Sequence, residues 1–152
     1  MRYMLDTNIC IFAIRRKPTN VLLNLLNKIS SDICISVITY SELIHGVEKS
    51  RDISQNRLAL TMFLSEIEIV PYDTQDAEEY GRIRAELEKQ GTPIGPMDML
   101  IAAHAKSRSF TLVTNNTREF ERVKNLQIED WTKGICYKGL DNHSSSRIFN
   151  KS

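Results

Sequence analysis

The chain predicts an α/β domain, a parallel central sheet of about four to five strands flanked by helices. Three observations carry this expectation. Short apolar or β-branched runs recur at Tyr3–Leu5, Ile33–Ser36, Ile67–Val70, Phe110–Val113 and Leu126–Ile128. Between them lie longer segments whose apolar residues repeat at helical spacing. Prolines, glycines and capping residues punctuate the junctions.

The elements follow in order. Tyr3–Leu5 is a strand, and Asp6, Thr7 and Asn8 behind it are capping residues. A helix over about Ile9–Arg16 follows and breaks at Pro18. Val21, Leu22, Leu25, Leu26 and Ile29 give Thr19–Ser30 an amphipathic helical pattern. After the Ile33–Ser36 strand come helices over about Thr39–Lys49 and Ile53–Ser65, then a strand closed by Pro71. Thr74–Gln90 is the longest helix, with Asp76 and Glu78 near its N-terminus suiting the dipole and Gly91 ending it. Pro93, Gly95 and Pro96 interrupt the chain before a helix over Pro96–Arg108. Strand Phe110–Val113, a loop with a short helix over Thr114–Glu121 and a last strand complete residues 1–132 as one domain. Residues 133–152 shift to Gly, Ser, Asn and Lys and read as a C-terminal extension or disordered tail, with Ile135, Tyr137 and Phe149 as the side chains by which it would dock.

Composition sets outer limits. A chain of 152 residues suits one domain with a real core, and 41% hydrophobic with 26% charged residues is globular usage. A net charge of +1 gives no global pull toward nucleic acid and leaves room for a local basic groove. Arg15, Arg16 and Lys17 form the one tight basic cluster; other cations are interleaved with acids, as on solvated faces. Three cysteines without CxxC spacing indicate neither a disulfide framework nor a zinc knuckle. Cys10 and Cys34 read as buried small hydrophobes in a reducing compartment. With no membrane span or signal-peptide pattern, the expected location is cytoplasmic.

Asp98 is the residue most at odds with its surroundings. From Met97 to Ala105 apolar side chains go right round the helical wheel, which predicts a buried helix. An ionised carboxylate in its first turn is costly unless compensated. Asp6 stands as oddly at the end of the apolar opening. Each has an ordinary reading, as a helix cap or a dipole partner; together they suggest a shared divalent cation, since magnesium or manganese prefers carboxylate oxygens, water and phosphate. Periodicity alone turns Glu42 outward, opposite the stripe of Tyr40, Leu43, Ile44 and Val47. Glu42 and His45 have the Glu-x-x-His spacing of di-iron bundles, but no second copy exists. His104 reads as a packed, hydrogen-bonded core histidine. No Walker loop, GxGxxG or Ser-His-Asp order stands out.

Four blocks carry a resemblance: MLDTNI at Met4–Ile9, ISVITYSEL at Ile35–Leu43, GTPIGPMDMLIAAHA at Gly91–Ala105 and LVTNNTREF at Leu112–Phe120. With the closing IEDW at Ile128–Trp131 they resemble, in order, the PIN-domain ribonucleases, and more narrowly the VapC toxins of bacterial type II toxin–antitoxin modules. The resemblance implies a PIN-like fold and a magnesium-dependent endoribonuclease, with manganese as the alternative ion. It assigns Asp6, Glu42 and Asp98 as catalytic, with Asp6 and Asp98 as core metal ligands. Against the periodicity, it turns Glu42 into the site. The departure is at the position after the strand, where many relatives carry a Thr-x-Asp aspartate. Here Asn116 stands instead, with Glu119 three residues on, and both are assigned accessory roles.

The resemblance further implies a growth-arresting toxin whose substrate is RNA, by subgroup the anticodon stem–loop of initiator tRNA. A cognate VapB-type antitoxin and a homodimer are the expected protein partners. The rival from another class is a non-catalytic PIN-like module binding RNA or protein, which the asparagine favours and the three retained acids oppose. A small-molecule phosphohydrolase would need a second aspartate two residues after Asp6, where Asn8 stands.

Overall fold

The computed structural model describes residues 1–28 and 30–134. Five parallel strands, β1 (Tyr3–Leu5), β2 (Ile33–Ser36), β3 (Glu68–Val70), β4 (Thr111–Val113) and β5 (Ile128–Glu129), form one sheet in the order β3-β2-β1-β4-β5. Parallel neighbours need long crossovers, and the helices supply most of them. Helices α1 (Thr7–Arg15) and α2 (Thr19–Leu26) join β1 to β2; α3 (Val37–Glu48) and α4 (Ile53–Phe63) join β2 to β3. Then α5 (Thr74–Gln90) and α6 (Pro96–Ser107) bring the chain back to β4 on the far side of β1, and the short α7 (Thr117–Phe120) leads to β5.

Strand alternation divides the core into two layers. Met4, Cys34 and Leu112 face α5 and α6, packing with Ile83, Leu87, Met99, Ile101 and Ala102. Tyr3, Leu5, Ile33, Ile35 and Val113 face α1–α4, with Ile9, Val21, Leu43 and Leu60. Trp131 belongs to this second layer, fully buried with its ring 5.6 Å from that of Tyr3. Buried Asn24 on α2 holds the chain beyond it, its Nδ2 donating to the Gly134 carbonyl at 2.6 Å.

Where element limits differ from expectation, capping explains most of it. α1 begins at Thr7 because Asp6 is itself the N-cap. α3 begins at Val37 because the Ser36 hydroxyl accepts the Ile38 N–H. α2 stops at Leu26, and a 3-10 turn at Ser30–Asp32 leads into β2. The last strand lies at Ile128–Glu129, two residues beyond the expected start, where Val113 pairs with Glu129. The helix around Asp98 is buried from Met99 onward but not all round, since Met97 is 39% exposed. Cys10 and Cys34 are free and buried. Among the described residues no helix is long and apolar enough to cross a membrane. The reading of 133–152 as an extension, with Ile135, Tyr137 and Phe149 docked, lies almost wholly outside the described residues.

Candidate active site

In open α/β sheets ligands bind beyond the carboxyl ends of the strands, where the strand order reverses. Here the reversal falls at β1 and β4: the chain runs outward from β1 through β2 to β3, then returns to the other side of β1. Asp6 directly follows β1 and Thr114 directly follows β4, so both stand at the head of that crevice. The Thr114 hydroxyl donates to Asp6 Oδ2 at 2.9 Å, and the Thr7 N–H donates to Asp6 Oδ1 at 2.8 Å. Asp6 is thus both a cap and a buried carboxylate, 6% exposed.

The other predicted residues approach from three helices. Glu42, on α3, is half-buried and accepts a 2.6 Å hydrogen bond from the Thr7 hydroxyl. Asp98 is in the first turn of α6, two residues after Pro96, and is also half-buried. Glu119, on α7, comes beside Asp98, close enough for the two carboxyl groups to share a proton. Asn116 donates its Nδ2 to Glu119 Oε2 at 3.0 Å, while its backbone N–H donates to the Thr114 hydroxyl at 3.0 Å. The asparagine therefore holds the Glu119 carboxylate.

Electrostatics fits this gathering. Asp98 is pushed up to about 7, first by burial, then by its hydrogen bond with Glu119 and by the negative charges of Asp6, Glu119 and Glu42. Burial raises Asp6 as well, against the lowering effect of its hydrogen bonds from Thr114 and Thr7. Among the described residues, no ion pair reaches any of the four acids; those that form lie elsewhere, as in Lys106–Glu79 and Lys124–Glu86. A set of hard oxygen donors without a basic partner suits a hard divalent cation. Among the described residues, no three acidic, histidine or cysteine groups form a ready-made metal cage.

Beside the acids, α1, α3 and α4 enclose a groove of about 380 Å³ that Glu42 lines at one side, together with Leu43, Leu60, Arg15 and Lys49. The two cations are exposed. Sequence reasoning missed Thr7 and Thr114 as holders of carboxylates. A signal existed in each case, a hydroxyl residue one or two positions after an apolar strand. It also missed that Asp76 is fully buried rather than merely dipole-favoured. Asp76 accepts from Arg108 Nε and a terminal guanidinium nitrogen, each at 3.0 Å, from Ser107, and from the Asp73 N–H at 2.8 Å. His104 is a packed, hydrogen-bonded core histidine as expected, fully buried and 2.8 Å from Ser36.

Fold and acid cluster together define a class, and comparison agrees: residues 3–126 match the PIN domain, and the chain belongs to that family. Its relatives narrow the group to the VapC ribonucleases. It is 49% identical over 132 residues to a tRNA(fMet)-specific endonuclease VapC of Shigella flexneri, covering 87% of this chain and 99% of the relative. A crystal structure of DNA-bound VapBC from Salmonella typhimurium superposes with a TM-score of 0.80 at 50% identity, over 86% of this chain and 98% of that one. VapBC2 from Rickettsia felis, bound to a promoter DNA fragment, gives 0.81 at 44% identity over 86% and 99%.

Proposed function

We propose that this chain is the toxin of a VapBC-type pair, a magnesium-dependent endoribonuclease that cuts initiator tRNA in its anticodon stem–loop. The observation that carries the reading is the convergence of Asp6, Glu42, Asp98 and Glu119, without a basic partner, at the strand-order reversal. Asp6 and Asp98 would hold the ion, with Glu42 and Glu119 completing its surroundings. Bound there, a divalent cation lowers the pKa of a water and offsets charge on the attacked phosphate. The protein's own part is preorganisation. Thr114 fixes the rotamer of Asp6, Thr7 that of Glu42, and Asn116 that of Glu119. Arg15 and Lys49, at the groove beside Glu42, attract the RNA backbone electrostatically. A single-stranded loop suits such a site because its bases are splayed and its phosphates accessible.

The relatives' pairing in VapBC complexes supports a VapB-type antitoxin as partner of this chain. The test is cleavage of purified initiator tRNA and of bulk tRNA by the wild type with magnesium, by the wild type with chelator, and by Asp98→Asn. Magnesium-dependent cutting by the wild type alone is expected. Equal cutting in all arms overturns the carboxylate mechanism, and RNA binding without any cutting points to the non-catalytic module.

A further inference from the structure

Glu42 and Asp98 ride on two helices that a buried polar relay ties together. Ser36, the last residue of β2 and the N-cap of α3, is fully buried. Its Oγ accepts the Ile38 N–H at 3.0 Å and lies 2.8 Å from Nδ1 of His104 on α6. A serine oxygen can accept twice, so the Ile38 bond alone does not fix the ring; the Asp76 carboxylate beyond the other edge does, because a bare Nε2 lone pair would face its negative charge, which leaves Nδ1 to accept from the Ser36 hydroxyl. The imidazole proton then sits on Nε2, which faces Asp76 Oδ2 at 3.6 Å without a closed hydrogen bond. Burial lowers the His104 pKa, joined by the positive charge of Arg108 and opposed by the charges of Asp76 and Asp73 and by a backbone hydrogen bond at Pro71, and the net lowering favours the neutral ring that the relay requires. Tyr72 packs edge-on against the imidazole, its centroid 5.4 Å away.

We infer that His104 is a positioning residue: by accepting from Ser36 it fixes the first turn of α3 against α6, and so sets how Glu42 and Asp98 face one cation. The inference rests on the metal-site reading above. An apolar side chain of similar volume would fill the space but leave the buried Ser36 hydroxyl without an acceptor, which destabilises the fold. What the directed bond adds is register between the two acid-bearing helices. Asp76, anchored by Arg108 and Ser107, keeps the opposite edge of the ring in place.

The test titrates Mn2+ alone into the full chain by calorimetry, for the wild type and for His104→Asn, His104→Gln and His104→Leu. Asparagine puts an acceptor near the place of Nδ1 and keeps the Ser36 bond; glutamine carries its amide toward Asp76 and loses it. The asparagine variant should stay within about twofold of wild-type affinity, while glutamine and leucine weaken it by about tenfold or more. His104→Leu should melt lower than the wild type, because it leaves the buried Ser36 hydroxyl without an acceptor, so the asparagine–glutamine comparison separates register from stability. Equal affinity for asparagine and glutamine overturns the inference. Should His104→Leu fail to fold, the asparagine–glutamine pair still decides. If the wild type binds no Mn2+, the metal-site reading fails. Nitrogen NMR of the imidazole is independent of metal: a proton on Nε2 is expected, and one on Nδ1 overturns the relay.

Discussion

Replacing Asp76 with asparagine removes one charge from a fully buried position and leaves the shape almost unchanged. In the native protein its carboxylate takes two 3.0 Å bonds from Arg108, one from Ser107 and a 2.8 Å bond from the Asp73 N–H. Burial alone would raise its pKa; the hydrogen bonds from Arg108, Ser107 and Asp73, with help from the His104 side, bring it down to about 2 from 3.8. A folded-state pKa below the unfolded one stabilises the protein fully above the unfolded value, and this stabilisation is lost as pH falls through 3.8 toward about 2. Converted at 1.36 kcal/mol per unit, the charge contributes about 2 kcal/mol near neutrality and under about 1 kcal/mol near pH 2.5. An asparagine also turns an amide donor toward groups that already donate, so Asp76→Asn should cost about 2–4 kcal/mol at neutral pH. Urea unfolding of both proteins, at pH 7 and near pH 2.5, reads the difference directly. The gap should narrow by about 1–2 kcal/mol at acid pH. A gap of the same size at both pH values would refute the reasoning, since the carboxylate's charge would then contribute nothing.

Three further outcomes are expected. Asp98→Asn should cut magnesium-dependent tRNA cleavage by about a hundredfold or more yet melt slightly higher in chelator, because Asp98 faces the charges of Asp6, Glu119 and Glu42; a lower melting temperature in chelator counts against the crowded-acid account. Asn116→Leu frees Glu119 from its 3.0 Å hydrogen bond, so cleavage should fall several-fold at limiting magnesium and recover toward wild type at saturation; identical magnesium dependence removes the holding role. Burial pushes the Cys34 thiol up to about 11 and raises Cys10 as well, so in native protein at neutral pH both should resist an alkylating reagent that labels them in urea; mass mapping of the adducts checks this.

Much of the architecture was legible locally. The strands Tyr3–Leu5 and Ile33–Ser36 stand where the apolar runs put them, and Thr74–Gln90 is bounded by Asp73 and Gly91 as its capping chemistry requires. Such signals involve residues a few positions apart, so they survive in a one-dimensional reading. Limits slipped where the cap was itself a residue with another role. Ser36 ends a strand and starts a helix, and Asp6 caps a helix while it lines the crevice.

The sequence by itself determined the α/β class, the packed character of His104 and, through its motif blocks, the family to which the chain belongs. Periodicity misjudged Glu42 because it weighs a helix against one core, whereas α3 also borders a crevice where Thr7 offers a hydroxyl. The tertiary structure alone decided that Glu119 comes beside Asp98, that Asn116 steadies it, and that Ser36, Asp76 and His104 meet in one buried relay. Each of those meetings depends on the strand order, which brings β4 back beside β1 and lays α6 against β2. Order within a sheet is set by which apolar faces bury most together, a sum over the whole chain that no local spacing records.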